Sequence, residues 1–132
     1  MLISGLQDIG LLLLRIALGI VFIAHGWEKI KNPAAWSRKM GFPFIIGFLV
    51  SIGEFFGGLG VLFGFLTQIA ALGPLFVMLG ANYYHWIAWK FPFIFKDGKG
   101  NEYVFVLALL ALALVFLGAG AYSIDAVIGF YP

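Results

Sequence analysis

Residues 55–89 read FFGGLGVLFGFLTQIAALGPLFVMLGANYYHWIAW, 35 positions without an Asp, Glu, Lys or Arg. As one straight helix this stretch would run about 52 Å, against a hydrocarbon core of about 30 Å. It must double back, and Gly64 to Gln68 (GFLTQ) is the natural tight turn. The segment before the turn starts near Phe44 and carries a single charge, Glu54. The segment after it runs to Trp89, with Pro74 in its first turns, where early helical N–H groups lack partners anyway. Working outward, residues 9–27 form a third apolar segment broken only by Arg15, and residues 102–118 a fourth that ends at Gly118-Ala119-Gly120. The pattern predicts an all-α integral membrane four-helix bundle: one domain with spans at about 9–27, 44–65, 69–89 and 102–118. The fourth is short for a span, so extended ends or a locally thin bilayer are expected. Beyond it, Ser123 is placed to cap a short surface helix with Asp125 in its first turn.

Composition points the same way. Of 132 residues, 63% are apolar, 18% aromatic and 11% charged, whereas a soluble domain carries about 45–50% apolar and about 25% charged residues. A globule of this size cannot enclose so much apolar volume, so lipid is the expected solvent. The net charge of +2 arises from few charges of either sign, and no basic stripe points to nucleic acid. The chain has no cysteine, which excludes disulfides, thiolate metal sites, cysteine nucleophiles and dithiol relays. No Lys or Arg precedes the first apolar run, so that segment is expected to remain in the mature protein rather than act as a cleaved signal.

The basic residues assign an orientation. Lys29, Lys31, Arg38 and Lys39 lie between Glu28 and Pro43, and Lys90, Lys96 and Lys99 between Lys90 and Asn101. The opposite side carries none, which places both basic loops in the cytoplasm and both termini outside.

Each polar group inside a span needs a reason. Arg15 in the first segment and Glu54 in the second are expected to meet as a buried ion pair. That pair either locks two helices in register or gives Glu54 a proton-carrying role; Asp8 and Asp125 are alternative partners for Arg15. His25 and His85 fall at similar depth near the basic side. With Met78, Asn82 and Trp89 spaced on one helical face with His85, a pocket lined by His25, Asn82 and His85 is predicted. Two level imidazoles are able to ligate a haem, bind a quinone carbonyl, move protons, or simply hydrogen-bond across the bundle. Gly53, Gly57, Gly60 and Gly64 form one small-residue stripe; Gly47, Ser51, Glu54 and Gly58 form its neighbour. Such stripes pack helices closely in lipid, so Glu54 should face protein, and the first segment's Arg15, Gly19, Phe22 and Gly26 should meet it. Asp97 to Gly100 reads as a turn, not a phosphate loop.

Several of these stretches together resemble the DoxX family of small four-span membrane proteins. They are residues 15–30 (RIALGIVFIAHGWEKI), Gly41-Phe42-Pro43, Glu54 with Gly57-Gly58, residues 64–71 (GFLTQIAA), Met78 and Ala81, Glu102-Tyr103, and Tyr122-Ser123-Ile124-Asp125. The likeness covers nearly the whole chain. One departure is that the family often has Gly-Pro-Gly and a basic residue before its Tyr-Ser motif, where this chain has Gly118-Ala119-Gly120-Ala121. The resemblance implies membrane location, and Arg15, Gly26, Lys29, Glu54 and Asp125 match family positions. It also implies association with quinone-linked oxidoreductases. The expectation is therefore a membrane subunit of, or accessory to, such a complex, not catalytic alone, with quinone as the possible cofactor. A soluble or membrane redox subunit, or a second copy of the chain, is the expected partner. Lys29 joins His25, Asn82 and His85 in the expected quinone or amphiphile pocket. Small-solute transport and a scaffold role without catalysis are the alternatives.

Overall fold

The computed structural model describes residues 5–130. The helices are α1 (Gln7–Ile30), α2 (Pro33–Met40), α3 (Phe44–Phe63), α4 (Thr67–Asn82), α5 (Glu102–Leu117) and α6 (Ile124–Val127); a π-helical turn, Tyr83–Ala88, continues α4. No strand occurs among the described residues; the lone bridge, Lys96 with Lys99, closes a two-residue turn in which Asp97 and Gly98 both have positive φ. α1 packs along α3, α3 along α4 and α4 along α5. α1 and α3 are each long and apolar enough to cross a membrane.

Glycines set these contacts. A β-carbon on Gly26 would lie 2.6 Å from the Phe55 nitrogen, and one on Gly19 2.7 Å from the Leu62 β-carbon. On the other face of α3, Gly60 opposes Ala70 and Gly53 opposes Gly73. Gly53, Gly57 and Gly60 thus face α4, while Gly47 faces α2 and Gly58 faces α1.

Pro74 lies well inside α4, beyond the turn whose N–H groups lack partners, so the expectation of an early position is corrected. Its ring fits because Gly57 has no side chain: a β-carbon there would strike Pro74, and would lie 2.7 Å from the Ala70 carbonyl that the proline leaves without its helical donor.

The turn between α3 and α4 falls where the sequence placed it. Gly64 ends α3 in the left-handed region at φ 68°, and Leu66 follows at φ 47°. The stretch between Glu28 and Pro43, expected as a polar loop, contains α2. Asn32 caps it by accepting from the Ala35 nitrogen at 3.0 Å, Pro33 begins it and Gly41 ends it.

Several polar and charged side chains are buried, while many large apolar ones are exposed. Arg15 and Glu54 are each 1% exposed, and Ser51, Thr67 and Asn101 are buried. Leu13, Ile69, Phe76 and Phe116 point outward instead, Phe116 being 77% exposed. The core between them consists of Leu18, Phe22, Val61, Met78, Leu107 and Leu114 with their neighbours. Asp8 and α6 lie together at one end, where Asp8 accepts from the Ala121 nitrogen at 2.8 Å. The basic segments gather at the other, where Phe42 and Tyr84 rings meet at 4.9 Å. The expected placement of both termini rests partly on residues 1–4 and 131–132, which lie outside the described residues.

Candidate functional site

Arg15 and Glu54 do not pair. The α1–α3 contacts at Gly19 with Leu62 and Gly26 with Phe55 fix an antiparallel register that sets Glu54 level with Trp27. That is about 18 Å along α1 from Arg15. The partner of Glu54 is Lys29, whose ammonium donates to Glu54 Oε2 and lies over the Trp36 ring, with Nζ 5.3 Å from the ring centroid.

Arg15 works at the opposite end. It donates to the Leu62 carbonyl at 3.2 Å and to the Tyr122 carbonyl, joining the end of α3 to the tail. Asp125 completes that end: its carboxylate accepts from the Leu66 nitrogen at 2.6 Å and the Thr67 nitrogen at 2.9 Å, and its own N–H donates to Gly64 O at 2.8 Å. The carboxylate is therefore the N-terminal cap of α4, supplied by a residue 58 positions away from Thr67. Ser123 caps α6 as its position in the sequence predicted.

Between these helices, toward the basic end, lies a cavity of about 430 Å³. Its polar wall is Lys29 and Glu54 with His25, His85 and Tyr103; Phe22, Val50, Val77, Met78 and Leu107 are among its apolar walls, and Trp36, Phe42 and Trp89 among the rings around them. His25 Nδ1 lies 2.8 Å from the Val21 carbonyl, so in the neutral ring Nδ1 is the donor and Nε2 the acceptor. His85 Nδ1 is buried without a hydrogen-bond partner. Its ring stacks on Trp89 at 5.5 Å and packs on Phe91 at 5.1 Å.

Asn82 is absent from the cavity wall. It donates to the Met78 carbonyl at 2.8 Å and the Val104 carbonyl at 3.2 Å, and accepts from Asn101 Nδ2 at 2.8 Å, tying α4 to α5. The single face predicted for Met78, Asn82, His85 and Trp89 assumed a regular helix. The π-helical turn begins just after Asn82 and changes the register beyond it.

Tyr103 and Trp36 are wall residues that the sequence reading did not place there. Tyr103 sits in the first turn of a helix with no amphipathic pattern to orient it, and Trp36 lies in the unforeseen α2. For the Lys29–Glu54 pair a signal existed, since Lys29 lies two turns from Phe22 on the glycine-bearing face of α1. Among the described residues, no three His, Asp or Glu side chains converge to hold a metal ion.

Among the described residues the exterior is largely apolar, charges are buried, and two helices are long and apolar enough to cross a bilayer, the features expected of a helical membrane protein. The DoxX family profile matches residues 10–86, and the chain belongs to that family. It is 39% identical over 128 residues to inner membrane protein YqjF of Escherichia coli (strain K12), covering 91% of this chain and 92% of that protein. It is 30% identical over 122 residues to a Bacillus subtilis (strain 168) protein named "Putative oxidoreductase CatD", covering 89% and 86% respectively. An uncharacterized Haemophilus influenzae protein is 29% identical over 116 residues, 85% of each chain. No solved structure matches.

Proposed function

We propose that this chain is the membrane subunit of, or an accessory to, a quinone-linked oxidoreductase, and that its cavity holds the quinone headgroup. The supporting observation is the combination of an apolar chamber of about 430 Å³ with a few convergent polar groups, the usual make-up of a small-molecule site. The name of the Bacillus subtilis relative agrees with a redox role.

The fit of the headgroup rests on His85. A buried ring nitrogen without a partner costs stability until something satisfies it, and a carbonyl or hydroxyl oxygen would do so. When bound, a quinone supplies an acceptor for two electrons and two protons. The chain contributes the surroundings: His85 and His25 orient the ring, Trp36, Phe42 and Trp89 exclude water, and Glu54 Oε2, held by Lys29, takes or gives a proton. The chain has no cysteine, so no thiol relay is at hand, and electrons come from a centre on a partner subunit.

In this reading α1, α3, α4 with its π-helical turn, and α5 each cross the bilayer, with the basic loops cytoplasmic. The test is isolation of the protein from native membranes in mild detergent, followed by analysis for quinone and stoichiometric partners. Retained quinone is expected, falling at least tenfold in His85→Ala and unchanged in Asn82→Ala, which leaves the cavity wall intact. A quinone-free chain that elutes alone overturns the proposal and leaves transport or assembly as its role.

A further inference from the structure

The cavity is open sideways, between α3 and α4. These helices touch at Gly53 and Gly73, where a β-carbon on Gly73 would lie 3.0 Å from the Gly53 carbonyl carbon. Two turns farther along the same face of α4, a β-carbon on Gly80 would meet nothing within 4 Å, although Gly80 belongs to the cavity wall. The helices have parted by then. On the α3 side the wall residues Ile46, Val50 and Glu54 are spaced one turn apart, and their exposure falls in that order: Ile46 is 42% exposed, Val50 half-buried and Glu54 buried. On the α4 side Phe76, also in the wall, is 66% exposed. The opening is thus apolar at its lip and reaches a charged pair at its base, and it lies in the apolar exterior, not at the polar end.

Resting on the quinone reading above, we infer that this cleft is a tail subsite. The ligand is a long-chain amphiphile whose neutral ring sits at Lys29, Glu54 and His85 and whose hydrocarbon chain leaves past Gly80 into the acyl region of the bilayer. A chamber of about 430 Å³ has room for a substituted ring and a short chain, so a ligand whose tail is a polyisoprenoid of several units needs an exit. The apolar lip meets that need and the glycine leaves room for it.

The test uses 2,3-dimethoxy-5-methyl-1,4-benzoquinone with and without a decyl chain, titrated against the purified protein through quenching of Trp36 and Trp89 in the cavity wall. Comparing protein variants with one ligand at a time cancels partitioning into detergent. Gly80→Phe, which fills open space, is expected to weaken the decyl quinone at least tenfold and leave the tail-less ring within twofold. Gly80→Ala is expected to bind both as the parent does. Ile46→Phe, built from the opposite lip without adding a tryptophan to the fluorescence signal, is expected to reproduce the selective loss and covers the case that Gly80→Phe fails to fold. Equal weakening of both ligands, or no effect on either, overturns the tail subsite while leaving the quinone site standing. If neither quinone binds the parent protein, the headgroup reading itself falls, and this inference with it.

Discussion

Glu54 carries the negative charge in the cavity wall. Its carboxylate is buried, and its partner Lys29 has a side chain only 16% exposed. Removing one member of a buried pair leaves the other uncompensated, at a cost of about 3–5 kcal/mol. Glu54→Leu should approach the lower end of that range, because a partly exposed lysine can extend toward water. Lys29→Met combined with Glu54→Leu should recover most of the loss, since the second change removes the stranded charge. Unfolding of the two single variants and the double variant in detergent, read as a thermodynamic cycle, measures the coupling. Glu54→Gln should remain folded. Arg15 should be indifferent to all four variants, being held at the other end by the Leu62 and Tyr122 carbonyls.

Single elements are held by close approach and by caps from distant residues. In α1, Gly26 leaves no space for a methyl group: the atoms it would strike are the Phe55 nitrogen at 2.6 Å and α-carbon at 2.7 Å. Backbone cannot turn aside as a side chain can, so Gly26→Ala should destabilise by about 1–3 kcal/mol. A thermal melt alongside Gly80→Ala, where nothing stands in the way, separates this clash from the general effect of adding a methyl group. The start of α4 depends on Asp125 in the same fashion. Asp125→Ala strips the acceptor from two backbone N–H groups at a helix N-terminus, a loss of about 1–2 kcal/mol. Amide exchange at Leu66 and Thr67 should accelerate, while exchange within α3 should stay unchanged.

At the scale of the molecule, polar groups collect at two places inside an apolar exterior. One is the Arg15–Asp125 end that ties α1, α3, α4 and the tail together; the other is the cavity near the basic end. The proposed four crossings place Lys39 and Lys99 on one side of the membrane and Val127 on the other. The chain has no cysteine, so Lys39→Cys, Lys99→Cys and Val127→Cys each provide a single labelling site. In sealed right-side-out vesicles an impermeant maleimide should reach only the Val127→Cys variant. Labelling of all three from outside would refute the four-crossing arrangement.

Periodicity and cost in lipid were enough to read the helical class, the turn at Gly64, the small-residue faces and the burial of Glu54, because each is a property of one segment and its solvent. Which charge meets Glu54 was not readable. Pairing between α1 and α3 depends on how far one helix slides along the other, and the intervening α2 leaves that slide unspecified by loop length alone. The glycine contacts at Gly19 and Gly26 settle it, bringing Lys29 rather than Arg15 to the carboxylate. Asn82 shows the same limit within one helix. A regular period placed it beside His85, but a π-helical turn begins at Tyr83, and the altered register leaves Asn82 bonded to α5. Local pattern names the faces of a helix, whereas register and helical irregularity arise from contacts between segments distant in the chain.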